Sequence, residues 1–308
     1  MTVVNPISDI VNRCLMPAIK YFESEHNDAL YLLHRNLYVQ TKSRINFYIN
    51  GLISYVNPRR SLSLFGLELL TGQAIQNILD QMNRAGGYAV SVVCFPDSHL
   101  KSLIMKIDEC KAESLTSARK MLYDWTALRE EPLVQTIIND ASIKLIADTY
   151  LGCNSILNMV TAWKTSYIDE SSHNVSGDAM MFHFDADHNR FLKLFVYLSD
   201  VGKFEGPHVF IPRTSSAYRK ELPDILQRDG RFSNIDIIQH GLLPELILGS
   251  KGTLIFADTH CFHRGTRVAQ GCCRYILQLQ FVDSVAGAKP AHNLKDIIDM
   301  NIAFGNLP

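Results

Sequence analysis

His183 and Asp185 stand two residues apart, a histidine at 263 follows 80 positions after the first, and Arg274 follows eleven after that. Two imidazoles and one carboxylate can take one face of a divalent metal and leave its other positions open, the ligand set of mononuclear non-haem Fe(II) centres. An arginine close to such a centre can hold a dicarboxylate co-substrate by a bidentate ion pair. On a strand, residues i and i+2 share a face, so His183 and Asp185 can reach one ion. Met181 falls on that face, while Met180, Phe182 and Phe184 fall on the other and read as core. His26-Asn27-Asp28 has the same spacing but lies in a polar run, Glu23-Ser24-Glu25-His26-Asn27-Asp28, beside helix-like sequence. On a helix, i and i+2 point about 200° apart, so that pair is not expected to chelate.

A lone His-x-Asp triplet is a weak signal: with eleven histidines in the chain, roughly one arises by chance. The downstream block strengthens it. Gly252-Thr253-Leu254-Ile255-Phe256-Ala257-Asp258 reads as a buried strand with a glycine start, and Arg274-Tyr275-Ile276-Leu277-Gln278-Leu279-Gln280-Phe281 as another. Arg274 opens the second at its polar-to-apolar boundary, and an arginine pointing inward there needs a partner, because a buried unpaired charge is costly. Between them lie His260 and His263. Three apart, they face opposite ways on a strand, so only one can point at a metal. Spacing alone leaves both open.

The elements that must position these residues divide the chain. Residues 7–56 carry helix-like spacing, and Asn57-Pro58 marks a break. Residues 67–82 read as a helix and 88–95 as a strand. Pro96-Asp97-Ser98 reads as an N-cap for a helix running to about residue 122. Residues 132–150 read as a further helix, with Gly152 where a C-terminal cap belongs. From residue 155 the pattern turns strand-like, with turn signals at Asp187-His188-Asn189, Gly202 and Gly249. Helices first and strands second predict an α+β fold, an antiparallel jelly roll with a helical half packed on it. The expected organisation is a single domain over 1–308: a mostly helical part to 154, a jelly-roll core over 155–285 and a tail over 286–308. Residues 213–249 form a long polar connection of the kind that makes lids or binding loops. That connection holds Arg213, Arg219, Lys220, Arg228 and Arg231 and reads as a solvated surface or as a seat for an anionic substrate.

Several segments together resemble the phytanoyl-CoA dioxygenase-like family of Fe(II)/2-oxoglutarate oxygenases. Residues 182–201, FHFDADHNRFLKLFVYLSDV, look like the strand, turn and strand that carry that family's proximal ligands. Gly206-Pro207-His208-Val209-Phe210-Ile211-Pro212 is similar to its glycine-proline-histidine strand. Gly252-Thr253 through Asp258-Thr259, with His263-Arg264-Gly265, is similar to its distal block. Gly86-Gly87-Tyr88-Ala89-Val90 and residues 131–152 resemble its helical half, so the match covers about 85–283. The resemblance implies that His183, Asp185 and His263 bind Fe(II), that 2-oxoglutarate and O2 are co-substrates, and that Arg274 takes the far carboxylate of 2-oxoglutarate. The chain departs from the pattern at Ile276, where many related oxygenases place a serine or threonine on that carboxylate. Thr253, Gln278 or Lys193 could substitute. Lys193 sits inside an apolar run and needs a carboxylate partner or an edge position. Asp187 and Arg213 are candidates for substrate contact, with a turn and a surface loop as their plainer readings.

Composition narrows the classes. The chain has 308 residues, 47% hydrophobic, ample for one large domain. A net charge of -1 and a pI near 6.8 give no bulk drive toward nucleic acid or anionic membrane. No apolar run reaches spanning length, and the N-terminus lacks a basic, long-apolar secretory leader, so a cytoplasmic protein is expected. Seven cysteines, vicinal only at Cys272-Cys273 and without a C-x-x-C, read as reduced thiols. The function expected is hydroxylation of an unactivated C–H bond in a small molecule, with succinate and CO2 as co-products. Acyl-CoA hydroxylation, or a cupin-like metal-binding protein without oxygenase activity, are the alternatives. Desaturation and ring closure share the same hydrogen abstraction. Halogenation is disfavoured, because Asp185 occupies the position where related halogenases seat halide.

Overall fold

The computed structural model describes residues 69–111, 119–167, 180–186, 188–227, 230–283 and 294–303. The helix-like stretch within 7–56, the His26–Asp28 triplet and Asp187 lie outside them.

Helix α1 (Gly72–Ala85) begins where the Thr71 hydroxyl accepts the Ala74 N–H, and buries Ile75, Ile78 and Met82, one stripe of an amphipathic helix. It ends at Gly86 with φ 73°, and Gly87 follows at φ 129°. A Cβ on Gly86 would stand 2.9 Å from the Arg213 Cα, and one on Gly87 2.7 Å from the Asp258 Cβ. Only glycine satisfies both the positive φ and this close approach. The pair therefore lets β1 (Tyr88–Val92) dock against the chain that leads to the distal histidine.

Helix α2 (Asp97–Glu109) is shorter than its sequence pattern predicts. Residues 119–122, expected in the same helix, form strand β2 (Arg119–Leu122), paired antiparallel with β3 (Ile156–Ser166). Cross-strand pairing overrides a local helical pattern when one face can be buried against a neighbour. The short α3 (Trp125–Leu128) follows. The single helix expected over 132–150 is two, α4 (Pro132–Ile138) and α5 (Ala141–Leu151), because Asp140 accepts the Ser142 N–H and starts a new N-terminus. Gly152 closes α5 at φ 72°, as expected.

The remaining strands are β4 (Phe191–Tyr197), β5 (His208–Phe210), β6 (Glu245–Ile247), β7 (Thr253–Ala257), β8 (His263–Arg264) and β9 (Cys273–Val282). They form a six-stranded antiparallel sheet in the order β1-β7-β4-β9-β3-β2 and a three-stranded sheet β6-β5-β8. The larger sheet turns Leu192, Leu194, Val196, Leu277, Leu279 and Phe281 toward the helices, where they join one core with residues of α1, α2, α4 and α5. Alternate residues Lys193, Phe195, Tyr197, Arg274, Ile276 and Gln278 line a cavity on the other face. Helix α7 (Leu294–Ala303) lies in the expected tail and packs on β3, where Asn301 donates to the Leu157 carbonyl at 2.8 Å and accepts its N–H at 3.0 Å.

The described residues of the connection over 213–249 keep an exposed surface, with Lys220 and Arg231 solvated as expected, but are anchored by apolar side chains on the inner side. Leu222, Leu226, Phe232 and Ile237 (in α6, Asn234–Gln239) form a second core with Phe182, Phe184 and Phe262. Arg219, expected on a solvated surface, is 1% exposed. Its guanidinium lies 3.8 Å over the Phe184 ring and donates to the His260 carbonyl at 2.7 Å. Aromatic faces and a backbone carbonyl stabilise this arginine in place of water.

Candidate metal centre

Two extended segments face one another across the smaller sheet. His183 N–H donates to the His263 carbonyl at 3.1 Å, and His263 N–H to the His183 carbonyl at 2.9 Å. The two histidines are thus directly opposed, with ring centroids 4.4 Å apart. Asp185 is held by its N–H on the Thr259 carbonyl at 2.8 Å. His183 and Asp185 share a face as the i, i+2 spacing predicts, although their segment pairs only through isolated bridges. One ligand atom from each of His183, Asp185 and His263 lies within 4.8 Å of the others.

The ring nitrogens are assigned by their partners. The Nδ1 of His183 lies 2.9 Å from the Met181 carbonyl, and that of His263 lies 3.0 Å from the Cys261 carbonyl. A carbonyl only accepts, so each Nδ1 carries the proton and each Nε2 offers its lone pair to the centre. Burial drives the His263 pKa down to about 3, against the pull of Asp185. The neutral imidazole is the form that binds metal. Burial pushes the Asp185 carboxyl up, but the charge and hydrogen bond of the Lys193 ammonium outweigh it and hold the group below the usual carboxylate range. Lys193 donates to Asp185 Oδ2 at 2.6 Å, so the carboxylate partner expected for this lysine is a metal-ligand candidate.

The cavity is about 290 Å³. Register decides which side chains meet there. One cross-strand row on β2, β3 and β9 is Arg119, Thr165 and Arg274, and the next is Met121, Trp163 and Ile276, continued by Tyr197 on β4. Arg274 is wholly buried: Nη1 donates to the Gly206 carbonyl, and Nε has no partner among the described residues. Burial lowers its pKa to about 10. The hydroxyl of Thr165 and Nε1 of Trp163 are likewise buried without a partner there. Unpaired buried polar atoms are rare and call for an explanation, which at this cavity a bound carboxylate would supply. A two-imidazole, one-carboxylate donor set with unpaired donors at and beside Arg274 fits a divalent metal with a carboxylate co-substrate.

Of the other sequence candidates, Gln278 and Lys193 line the cavity. Thr253 does not; its hydroxyl donates to the Ser250 carbonyl at 2.7 Å. Arg213 is exposed, with its guanidinium over the Tyr218 ring. Sequence reasoning missed Thr165 and Arg119, because a two-strand register is not visible in one strand's pattern. It also gave no role to His208, which lines the cavity, stacks on His263 at 5.5 Å between centroids and is hydrogen-bonded to the Tyr88 hydroxyl at 3.0 Å. Burial, then the neighbouring His263 and Arg274, hold the His208 pKa well below its ordinary value.

The choice between the two distal histidines follows from their partners. His260 turns away from the centre, with Nδ1 on Asp258 Oδ1 at 2.7 Å and Nε2 toward the His188 carbonyl at 3.3 Å. Tyr150 donates to the other Asp258 oxygen at 2.6 Å. His260→Ala takes one side-chain partner from a buried carboxylate. We expect a loss of about 1–3 kcal/mol in urea unfolding, with iron binding retained. Loss of iron without loss of stability would reverse the assignment.

No family model and no curated protein matches the chain by sequence. Among solved structures, the non-heme alpha-ketoglutarate-dependent epimerase SnoN from nogalamycin biosynthesis is similar over 73% of this chain and 89% of its own, at 16% identity and a TM-score of 0.51. SnoN in complex with Fe3+, alpha-ketoglutarate and nogalamycin RO is similar over 73% and 90%, at 15% identity and a TM-score of 0.50. At such identity the likeness is one of fold. The chain thus has the α+β double-stranded β-helix fold that SnoN has, and its His-Asp-His cluster lies between the two sheets.

Proposed function

We propose that this chain is an Fe(II)- and 2-oxoglutarate-dependent dioxygenase, one domain over 1–308, that hydroxylates an unactivated C–H bond of a small molecule, a natural product or an intermediate on the way to one. The observation that carries the reading is the convergence of His183, Asp185 and His263 in the same cavity as the buried Arg274. A plain metal-binding jelly roll needs the three ligands but has no use for a buried arginine beside them. The fold shared with SnoN, a protein crystallised with Fe3+ and alpha-ketoglutarate, supports the same reading.

His183, Asp185 and His263 would hold the iron, and Arg274 the far carboxylate of 2-oxoglutarate. Thr165 and Arg119 lie in one cross-strand row with Arg274, and Arg119 lines the same cavity. Iron with 2-oxoglutarate supplies the oxidising power, consuming O2 and releasing succinate and CO2. The chain supplies position. Trp163, Phe195, Tyr197 and Ile276 line the cavity beside its polar groups, and the burial of Arg274 would strengthen an ion pair with a carboxylate there.

The test is turnover of 2-oxoglutarate by purified protein in air. Succinate should form only when both Fe(II) and 2-oxoglutarate are present, faster in the presence of substrate from a metabolite extract. Absence of 2-oxoglutarate binding to the iron-loaded protein would leave a metal-binding jelly roll as the better account.

A further inference from the structure

Lys193 sits in the middle of β4, a strand buried along its whole length, and its side chain is 9% exposed. A charge there is costly unless paired. Asp185 is the one acid among the residues that line the cavity, and the Lys193 ammonium lies 2.6 Å from its Oδ2. The two carboxylate oxygens are therefore unlike. Oδ1 faces His183 Nε2 at 3.8 Å, while Oδ2 faces His263 Nε2 at 3.6 Å and carries the ammonium as well. The Asp185 main chain is already fixed on Thr259. What remains free to move is rotation of the carboxylate itself.

We propose that Lys193 holds Asp185 to ligation through a single oxygen and so keeps one more metal position open. The proposal rests on the metal-centre reading above. A carboxylate can chelate through both oxygens, and doing so takes two positions instead of one. With two imidazoles and a chelating co-substrate, that leaves none for O2 on a six-position ion. An ammonium on Oδ2 opposes the second bond in two ways: it takes one of that oxygen's lone pairs, and it repels a cation brought onto it. Lys193 is a positioning residue in this scheme and touches no reacting atom.

The sign of its effect separates this role from mere support. A residue that only props Asp185 would cost metal binding when removed. Removing a residue that restrains the carboxylate would leave metal binding equal or tighter and close the last open position on the ion. The experiment uses the full chain with Co(II) as a spectroscopic probe, read by calorimetry and by the visible absorption of the bound ion. For Lys193→Met we expect Co(II) affinity equal to or above wild type and a Co(II) spectrum altered both before and after 2-oxoglutarate is added, because a second carboxylate oxygen fills one more position. Lys193→Arg should restore the spectrum. If Lys193→Met does not fold, Lys193→Gln, with an amide donor and no charge, carries the same comparison. Loss of Co(II) from a folded variant overturns the proposal in favour of support. A wild-type Co(II) spectrum overturns it too, and with weakened 2-oxoglutarate it would make Lys193 a direct co-substrate contact. Failure of the metal-centre reading shows separately, as wild-type protein that binds no Co(II).

Discussion

His183→Ala, Asp185→Ala and His263→Ala should each lose Fe(II) affinity by more than about 100-fold, beyond the range seen for outer partners of ligands. Wild type should hold one ion per chain. The expectation rests on three donors within 4.8 Å of one another and on two imidazoles whose Nδ1 protons are committed to carbonyls. Removing any one leaves two donors, too few to hold iron against water and buffer. Equilibrium dialysis under anaerobic conditions, with metal analysis of the retentate, reads the result. His26→Ala and Asp28→Ala are the controls from the other His-x-Asp triplet and should keep wild-type iron. Unchanged iron in both His183→Ala and Asp185→Ala would remove the centre from this cavity. Loss of iron in His26→Ala would move it to another part of the chain.

Arg274→Ala should leave iron in place and weaken 2-oxoglutarate. Losing the partner of a buried charge costs about 2–5 kcal/mol. At tenfold per 1.4 kcal/mol, that is roughly 30-fold to several-thousand-fold in affinity. Burial lowers the arginine pKa only to about 10, so the guanidinium remains charged at neutral pH and available to a carboxylate. One of its nitrogens is engaged by the Gly206 carbonyl, while Nε is not. Arg274→Lys should rescue in part, because an ammonium keeps the charge but lacks the planar fork. Calorimetric titration of the metal-loaded variants with 2-oxoglutarate measures it. Retained iron binding in the same samples shows that the loss of the Gly206 contact has not collapsed the site. Equal affinity in wild type and Arg274→Ala would sink the co-substrate role and favour the non-oxygenase reading.

Much of the centre was legible in the residues. Alternation along 182–185 separates cavity from core: Phe182 and Phe184 are buried in the second core, and His183 and Asp185 face the cavity, while Met180, also expected in the core, is half-buried. The alternation of 274–281 likewise sends Arg274, Ile276 and Gln278 to the cavity and Leu277, Leu279 and Phe281 to the helices. Gly152 caps its helix as expected, whereas the first helix begins at Gly72 behind Thr71 and not at 67. These are local properties, set by two-residue and 3.6-residue periods and by a few side chains that bond their own backbone.

What the chain's linear order could not decide is every choice between distant partners. His260 and His263 are equivalent by spacing, and the decision comes from Asp258, Tyr150 and His188 gathering around the first and His183 pairing with the second. Residues 119–122 become a strand because β3 offers an edge. The charged connection over 213–249 packs because Phe182, Phe184 and Phe262 lie beneath it, and Arg219 is buried for the same reason. Lys193 announces by sequence only that it needs an anion; the strand register brings Asp185 to it. The sequence by itself determined which chemistry the side chains can do and which face of each element carries it. The tertiary structure decided which side chains meet, since register and packing join residues as distant in sequence as Tyr88 and Ala257, 169 positions apart, and no local period carries that information.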